Sequence, residues 1–348
     1  MAEWKEYELN QICSRLSSGK GLPAKKISDS GKYPVYGGNG LRGYTETANF
    51  EGDCAIIGRQ GAYCGNVRYF SGTAYMTEHA VVTCANENNN TRYLSYLLST
   101  MNLGRLSGQS AQPGLSVKTL GKQVVKVPPL TIQNKIVSIL AALDTKIEDN
   151  EKINKNLERQ AQAIYTEMFI TNADPTWSLG HLSDLITVKY GKDHKKLSNG
   201  EFPVYGSGGI MRYVERPLYN KESVLVPRKG TLNNVLYVNE PFWSVDTMFY
   251  TEMRQSNNAK YVFHYLKGKD LASMNAGSAV PSMTTAILNA MELRIPDANT
   301  LKRFEDLVSP MYVAMADNNT QSAKLEALRD TLLPRLMSGE IDVSNLDL

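Results

Sequence analysis

Apolar residues recur at steps of three and four over two long stretches, and this spacing predicts two long amphipathic helices. The first runs from Thr131 to about Ile170 without a Gly or Pro, and the second from Leu301 to about Met337, ending near Pro334 and Gly339. At about 1.5 Å per residue, the first helix would span on the order of 60 Å. A helix of this length needs a partner for its apolar face, because packing supplies most helical stability.

The stretches before each long helix have a different pattern. Short runs of β-branched and aromatic residues are broken by Gly, Asn and Ser, which predicts two small mixed or mostly β domains. Each contains a helical stretch, such as Thr91 to Thr100 in the first. Prolines, at Pro128-Pro129 and at Pro296, separate each domain from the helix that follows.

The two halves of the chain repeat one another, which indicates duplication. YPVYGGNG from Tyr33 returns as FPVYGSGG from Phe202. A second block, AIIGRQGAYCGNVRY, returns as VLVPRKGTLNNVLYV and places Arg59 beside Arg228. The two long helices also align without gaps, with Leu143 on Met311.

The equivalent apolar stripes favour antiparallel pairing of the two helices as a coiled coil, with a pseudo-twofold axis and a globular domain at each end. Asn150 and Asn318 lie at matching points of the stripes. They either bury an amide that fixes the register or face solvent, and the sequence leaves both alternatives open. The stripe positions expected to pair the helices and to carry partner subunits are Ile136, Leu143, Ile147, Leu157, Ile164, Met311, Met315, Leu325 and Leu332.

Composition is that of a globular protein, with 348 residues, 42% of them hydrophobic and 21% charged, and this length suits two domains. No apolar run approaches the roughly 20 residues of a membrane span, and the start Met1-Ala2-Glu3 does not resemble a signal peptide. We therefore expect a cytoplasmic protein without membrane contact. The four cysteines are expected to be free thiols, with a zinc site that includes His79 as the alternative.

The turn at residues 38–43 has the G-x-G-x-x-G spacing of a dinucleotide site. Such a site needs a helix directly after it, whereas poor helix formers follow here, and the repeat at 202–212 loses the glycine spacing. The motifs of P-loop proteins, metalloproteases, amino-methyltransferases, nucleases and serine hydrolases are not recognisable. The sequence therefore predicts no catalytic residues, and neither a metal nor a cofactor bound by this chain.

The duplicated turns instead carry basic, amide and aromatic residues. The net charge of +3 is too small to identify a polyanion partner, so the placement of these residues matters more than their sum. Lys and Arg neutralise phosphates, and Arg, Asn and Gln can pair with base edges. The candidate DNA contacts are Lys20, Lys25, Tyr36, Asn39, Arg42, Arg59, Gln60, Gln112, Lys192, Lys195, Tyr205, Ser207, Arg212, Arg228 and Lys229.

From the residues alone, the chain is a duplicated binding protein with a coiled-coil spacer. DNA recognition and a non-catalytic adaptor whose domains bind proteins are both consistent with this pattern. An enzyme with an active site between the domains is disfavoured, because the catalytic motifs are missing.

Three segments resemble the specificity (S) subunit of type I restriction-modification systems: the repeated PVYG turn, VPPLTIQNKIVSILAALDTKIEDNEK at 127–152 and LRDTLLPRLMSGEIDVSNL at 328–346. The resemblance covers nearly the whole chain. It implies an α+β fold with two duplicated mixed α/β target recognition domains, at 1–128 and 173–295. Two long antiparallel coiled-coil helices would follow them, at 129–172 and, with the C-terminal tail, at 296–348.

The resemblance also implies partners. Each recognition domain would read one half of a bipartite target in double-stranded DNA, while two methyltransferase (M) subunits and the restriction (R) subunits join the helices. S-adenosylmethionine would belong to the M subunits, and ATP with Mg to the R subunits. This chain would then be the non-catalytic specificity subunit. An S-type subunit of a type IIB enzyme would look nearly the same.

Overall fold

The chain folds into two compact units, and the computed structural model describes residues 3–107, 114–274 and 282–347 of it. Unit 1 comprises Met1–Asn150 and Asn319–Leu348, and unit 2 comprises Glu151–Asn318. Both boundaries fall inside long helices, so each long helix supplies residues to both units. The four segments expected from the sequence cut the chain differently, at the ends of those helices, and that division stays a prediction.

The globular part of unit 1 is built from short strands and two short helices. They are β1 (Lys5–Glu8), β2 (Cys13–Ser18), β3 (Tyr33–Gly37), β4 (Gly40–Thr45), β5 (Phe50–Gly58), β6 (Val67–Met76), β7 (Ala80–Ala85), α1 (Thr91–Ser99), α2 (Val117–Gly121) and β8 (Val124–Val127). Six strands form one sheet in the order β2-β7-β5-β6-β3-β4, and β1 pairs with β8. The central strand β5 is buried from Cys54 to Gly58, as its continuous apolar run predicts.

Unit 2 repeats this plan with more breaks. Its elements are β9 (Ser178–His181), α4 (Leu182–Leu185), β10 (Ile186–Tyr190), β11 (Phe202–Gly206), β12 (Gly209–Val214), β13 (Ser223–Pro227), β14 (Leu236–Val238), β15 (Trp243–Ser244), β16 (Met248–Met253), α5 (Ala259–Lys267), α6 (Thr285–Asn289) and β17 (Glu292–Ile295). Three sheets have the orders β10-β16-β13-β14, β12-β11-β15 and β17-β9. The ten-residue strand β6 of unit 1 is replaced here by β14 and β15. Pro241 lies between them and has no N–H for a strand ladder, which explains the break.

The two long helices are confirmed. The first, α3 (Leu130–Thr166), continues into a π-helical turn at Glu167–Thr171, and the second is α7 (Ala298–Met337). Pro334 lies inside the last turn of α7 and does not end it. The helix ends just before Gly339, which has a φ of 77°.

Within each unit, the segments of α3 and α7 pack together in antiparallel fashion. In unit 1, Arg329 Nη1 lies 3.2 Å from Asp144 Oδ1, and Asn150 Nδ2 donates to Gln321 Oε1 at 2.9 Å. In unit 2, Asn318 Nδ2 donates to Asn154 Oδ1 at 2.8 Å, and the rings of Tyr165 and Phe304 lie 6.1 Å apart. In both units the partner's number falls along α7 as it rises along α3. Asn150 is fully buried, which supports the register-fixing alternative there, and Asn318 is half-buried.

The expected stripe residues lie on the inner faces of these helices. Ile136 and Ile147 are buried, Leu332 packs against the core of unit 1, and Ile164 and Met311 pack against the core of unit 2. Leu143, Leu157, Met315 and Leu325 are half-buried. These side chains stabilise the helices within their own units, so their role toward partner subunits stays a prediction.

Candidate nucleic-acid interface

In unit 1, the turn Thr77–His79 between β6 and β7 collects backbone hydrogen bonds from separate segments. Thr77 N donates to Tyr36 O at 2.9 Å, at the end of β3. Arg59 N donates to His79 O at 3.0 Å, just after β5. Lys20 N donates to the adjacent Met76 O at 3.0 Å. The fold thus brings three basic or glycine-rich turns together at one edge.

Unit 2 has the same arrangement of backbone hydrogen bonds around the turn at 245–247. Val245 N donates to Tyr205 O at 3.1 Å, Arg228 N to Thr247 O at 2.8 Å, and Lys192 N to Ser244 O at 2.8 Å. We call this frame the turn cluster. It comprises residues 19–20, 36–40, 59–61 and 77–79 in unit 1, and residues 191–192, 205–209, 228–230 and 245–247 in unit 2.

Lys20 and Lys192 are equivalent exposed residues of the turn cluster, each following a glycine. A Cβ on Gly19 would lie 2.2 Å from Met76 O, and one on Gly191 would lie 2.0 Å from Val245 O, so only glycine fits. The sequence suggested both lysines but did not pair them, because this Gly-Lys repeat falls at a different spacing from the other repeats. In the sequence, only the Gly-Lys dipeptide that both turns share indicates that the two lysines are equivalent.

The Arg-x-Gly turns of the two units match in detail. Arg59 O accepts from Leu115 N at 2.8 Å, and Arg228 O accepts from Met283 N at 2.9 Å. Each guanidinium Nη1 points at a carbonyl of the neighbouring turn, at 3.5 Å for Arg59 and 3.4 Å for Arg228. The glycines that close the turns have φ angles of 74° and 86°, which favour glycine strongly. The pairing of Arg59 with Arg228 in the sequence repeat is therefore also present in the backbone geometry.

The YPVYGGNG and FPVYGSGG stretches form hairpins, β3–β4 and β11–β12, with the same register shift after Val35 and Val204. Asn39 is exposed at the first turn, and Ser207 is half-buried at the second. In unit 1 the guanidinium of Arg68 lies against this turn, since its Nη1 is 3.1 Å from the position of a Cβ on Gly40. The glycine-rich stretch is thus a hairpin turn beside arginine side chains.

Several suggested residues are engaged within the protein itself. Tyr36 packs on Phe70, with ring centroids 5.0 Å apart, and Tyr205 donates to Glu240 at 2.8 Å. Burial raises the pKa of both tyrosines, so their hydroxyls stay protonated. Arg212 Nη2 donates to Leu197 O at 2.8 Å. These three side chains stabilise their own domains.

The other suggested residues lie nearer the surface. Lys25 and Lys195 are exposed in short turns, and the side chain of Arg42 lies against Gly37. Gln112 falls outside the described residues. His79 belongs to the turn cluster but was not among the candidate DNA contacts, and its Nδ1 lies 3.0 Å from Gln60 Oε1. Sequence pattern gives no sign of this pair, which depends on the folded turn between β6 and β7.

The turn cluster is a basic surface in both units. In unit 1, Lys20 and Arg59 outweigh Glu78, and the guanidinium of Arg68 lies beside the cluster at Gly40. In unit 2, Lys192, Arg228 and Lys229 outweigh Asp246. The guanidinium of Arg228 stands 5.3 Å from the centre of the Tyr190 ring, which itself is 52% exposed. Cationic side chains, amides and an accessible aromatic ring together suit a nucleic-acid backbone and base edges.

Among the described residues, no group of three or more His, Cys, Asp or Glu side chains is placed to hold a metal ion. All four cysteines are free, and burial raises the pKa of Cys13 and of Cys54 to about 12, so those thiols stay protonated at neutral pH. Over the same residues, we find no helix with the length and apolar character required to cross a membrane.

Comparison with known proteins gives consistent matches along the chain. The sequence model of the family described as type I restriction modification DNA specificity domain matches residues 1–159 and again residues 175–326. The type I restriction enzyme EcoprrI specificity subunit of Escherichia coli is 39% identical over 147 residues, which are 41% of this chain and 36% of that protein. The chain therefore spans about a third of the length of that relative.

Two further relatives match over more of the chain. The type I restriction enzyme MjaIX specificity subunit of Methanocaldococcus jannaschii is 24% identical over 301 residues, which are 73% of this chain and 70% of that protein. The crystal structure of a type I restriction-modification system S subunit from M. genitalium superposes with a TM-score of 0.68 at 17% identity, covering 96% of both chains. The last match shows a shared fold.

Proposed function

The chain belongs to the family of type I restriction-modification DNA specificity domains, and we propose that it is the specificity subunit of such a system. In this role each unit recognises one half of a bipartite sequence in double-stranded DNA. The two matches of the family model fall one in each half of the chain, in keeping with two recognition domains.

The observation that carries this proposal is the duplicated turn cluster. Two units with different sequences keep the same backbone hydrogen bonds around an Arg-x-Gly turn, a Gly-Lys turn and a hairpin turn. Lys20 and Lys192 are exposed and suit phosphate contacts, while Arg59 and Arg228 can reach phosphates or guanine edges. A surface preserved in duplicate, and basic both times, suits two segments of one polyanion.

We assign the long helices α3 and α7 two tasks: they set the gap between the half-sites, and they carry the partner subunits. Their inner apolar residues stabilise the units, so partners would use outward residues. Ile153, Val313 and Leu328 are apolar and exposed on these helices. The partners would be two methyltransferase subunits and restriction subunits, which would bring S-adenosylmethionine and ATP with Mg. This chain would contribute recognition and no chemistry of its own.

Co-expression with the methyltransferase subunit of the same system, followed by mapping of methylated adenines in the host genome, tests the proposal. We expect one motif with two specific halves separated by a gap of fixed length. A methyltransferase that modifies the same sites with and without this chain would contradict the proposal.

A binding assay separates DNA recognition from the adaptor alternative. The affinity of the purified complex for a duplex carrying the motif should fall steeply with added salt, because bound Lys and Arg release counterions from the phosphates. A protein-binding adaptor would give no saturable DNA binding at any salt concentration.

A further inference from the structure

The middle residue of each Arg-x-Gly turn is held in the same place but has different chemistry in the two units. Gln60 forms an isolated backbone bridge with Gly114, and Lys229 forms the equivalent bridge with Ser282. The arginine before each of them makes the matching backbone hydrogen bonds described above, and the glycine after each has a positive φ. Since the backbone frames agree, the side chain is what distinguishes the two turns.

These middle side chains are more accessible than the arginines before them. Gln60 and Lys229 are exposed, whereas Arg59 and Arg228 are half-buried, with Nη1 directed at the carbonyls of the neighbouring turn. A DNA groove laid on the turn cluster would therefore meet the middle side chains before it meets the arginines.

His79 orients the amide of Gln60. The ring Nδ1 lies 3.0 Å from Gln60 Oε1, and the ring Nε2 lies 3.3 Å from Glu78 Oε1. The Nε2 of Gln60 itself has no hydrogen-bond partner among residues 3–107, 114–274 and 282–347. An amide oxygen has a second lone pair, so the group can still accept one hydrogen bond while its NH2 donates. That donor and acceptor pair matches N7 and N6 of adenine in the major groove.

Lys229 offers only donors. Its ammonium makes no salt bridge within the described part of the chain. The residue of unit 2 that corresponds to His79 is Thr247, whose carbonyl accepts from Arg228 N as that of His79 accepts from Arg59 N. In the major groove, a lysine ammonium suits the two acceptors of guanine, O6 and N7, and finds no such pair on adenine.

We propose that Gln60 and Lys229 are the equivalent specificity-determining residues of the two units, with Gln60 selecting an adenine in one half-site and Lys229 a guanine in the other. The inference rests on the proposed function, because it requires the turn cluster to face DNA. It adds the residue position, and the chemistry at that position, by which the two half-sites come to differ.

Reciprocal substitution tests the proposal in the whole complex. The variants Gln60→Lys and Lys229→Gln are each co-expressed with the methyltransferase, and the methylated motif is mapped as for the wild type. Gln60→Lys should replace adenine by guanine at one position of one half-site, and Lys229→Gln should replace guanine by adenine in the other. Preference between the two bases should change by about 5- to 150-fold, the range of one good bidentate contact.

The unchanged half-site and the unchanged gap serve as internal folding controls in each variant. Lys221→Gln is the matched control, because Lys221 is also exposed and lies before the opposite end of β13. It should leave both half-sites as in the wild type. His79→Ala should weaken the adenine preference of unit 1 alone, since the amide loses its support.

Wild-type half-sites in both reciprocal variants would overturn the proposal, as would changes in both halves of the motif from either single substitution. A variant that methylates nothing is offered a pool of duplexes with the wild-type gap and random halves, and selection of the wild-type sequence again counts against the proposal. Failure of the proposed function itself looks different, because then the unaltered complex has no bipartite motif.

Discussion

Substitution of Lys260 on α5 is the strongest single test of the interactions that stabilise unit 2. Its side chain is only 5% exposed, and its Nζ lies 3.0 Å from Glu222 Oε1 and 2.6 Å from Glu305 Oε1. The ammonium also stands over the rings of Tyr237 and Tyr312, at 5.1 and 5.5 Å. One buried cation thus connects the globular part of unit 2 to its segment of α7.

Removal of this cation leaves two partly buried carboxylates facing each other without a counter-charge. Breaking one side of a buried ion pair costs about 3–5 kcal/mol. We therefore expect Lys260→Met, which keeps most of the apolar stem, to lower the free energy of unfolding of unit 2 by about that amount. For a unit of roughly 170 residues this corresponds to a fall in Tm of about 6–20 °C.

Lys267 is the matched control on the same helix. It also pairs with a carboxylate, Glu158 at 3.0 Å, but both side chains are more than 40% exposed, at 41% and 44%. An exposed pair contributes about 0–1 kcal/mol, so Lys267→Met should barely change stability. The double variant Lys260→Met with Glu305→Gln should recover part of the loss, because it removes one of the unpaired carboxylates.

Urea denaturation followed by tryptophan fluorescence measures this directly. The three tryptophans are Trp4 in unit 1 and Trp177 and Trp243 in unit 2, so a Trp4→Phe background makes the signal specific to unit 2. A loss for Lys260→Met no greater than that for Lys267→Met would refute the reasoning. A double variant no more stable than Lys260→Met would show that lost packing, and not unpaired charge, is the cause.

Three further predictions follow from the same structure. Arg59→Ala and Arg228→Ala should each weaken DNA binding by about 1–3 kcal/mol if the arginine contacts a base, and unchanged affinity and methylation in both variants would contradict a contact. The buried ring of His264 has its pKa lowered from 6.5 to about 4, mainly by burial, so its stabilisation is complete above pH 6.5 and is lost as the pH falls toward 4. Between pH 7.5 and 5 the wild type should lose about 2 kcal/mol more of unit 2 stability than His264→Gln, measured in urea, and equal losses would argue against a neutral buried ring. Four residues added to α3 after Glu151 and four added to α7 after Asn318 should lengthen the gap of the methylated motif by about two base pairs, since four helical residues add about 6 Å. A methylome with the original gap would show that the length of the helices does not set the gap.

The long helices could be predicted from the sequence because their signal is local and repeated. Steps of three and four over about ten turns predict α3 and α7 to within a few residues, and the gapless alignment of the two stripes predicts that they pack together. Antiparallel pairing within each unit agrees with that expectation, as the contacts Asp144–Arg329 and Asn318–Asn154 show. The division of both helices between two units left no local mark in the sequence.

The candidate site was predictable only in part. Residue type and repetition suggested Arg59 and Arg228, and they occupy equivalent turns. The same criteria also selected Tyr205 and Arg212, which bond to Glu240 and to Leu197 O within unit 2. A basic or aromatic residue beside a glycine-rich turn has the same local pattern whether it faces inward or outward, so the folded neighbours decide.

The buried network of unit 2 shows why the rest could not be predicted. Lys260 and His264 are buried although one is charged and the other polar. His264 Nδ1 lies 2.8 Å from Gln162 Oε1, and Tyr312 OH lies 2.9 Å from His264 Nε2. These partners are far away in the chain, and no periodicity links them. Only the packing of α5 against both long helices makes a charged and a polar residue suitable for the interior.

The division of the long helices also means that unit 1 is assembled from two segments that the ribosome makes at different times. Unit 2 is complete once residue 318 has been made, whereas unit 1 still lacks the segment that begins at residue 319. At ~5–20 residues per second, the interval between residues 150 and 319 lasts on the order of 10–30 s. During this interval Ile136 and Leu140 have no contact with Leu336 and Met337, the α7 residues of their shared core, because those two residues have not yet been made. Unit 1 of the nascent chain therefore lacks part of its core for at least this interval, and the face of α3 at Ile136 and Leu140 has no α7 segment to cover it.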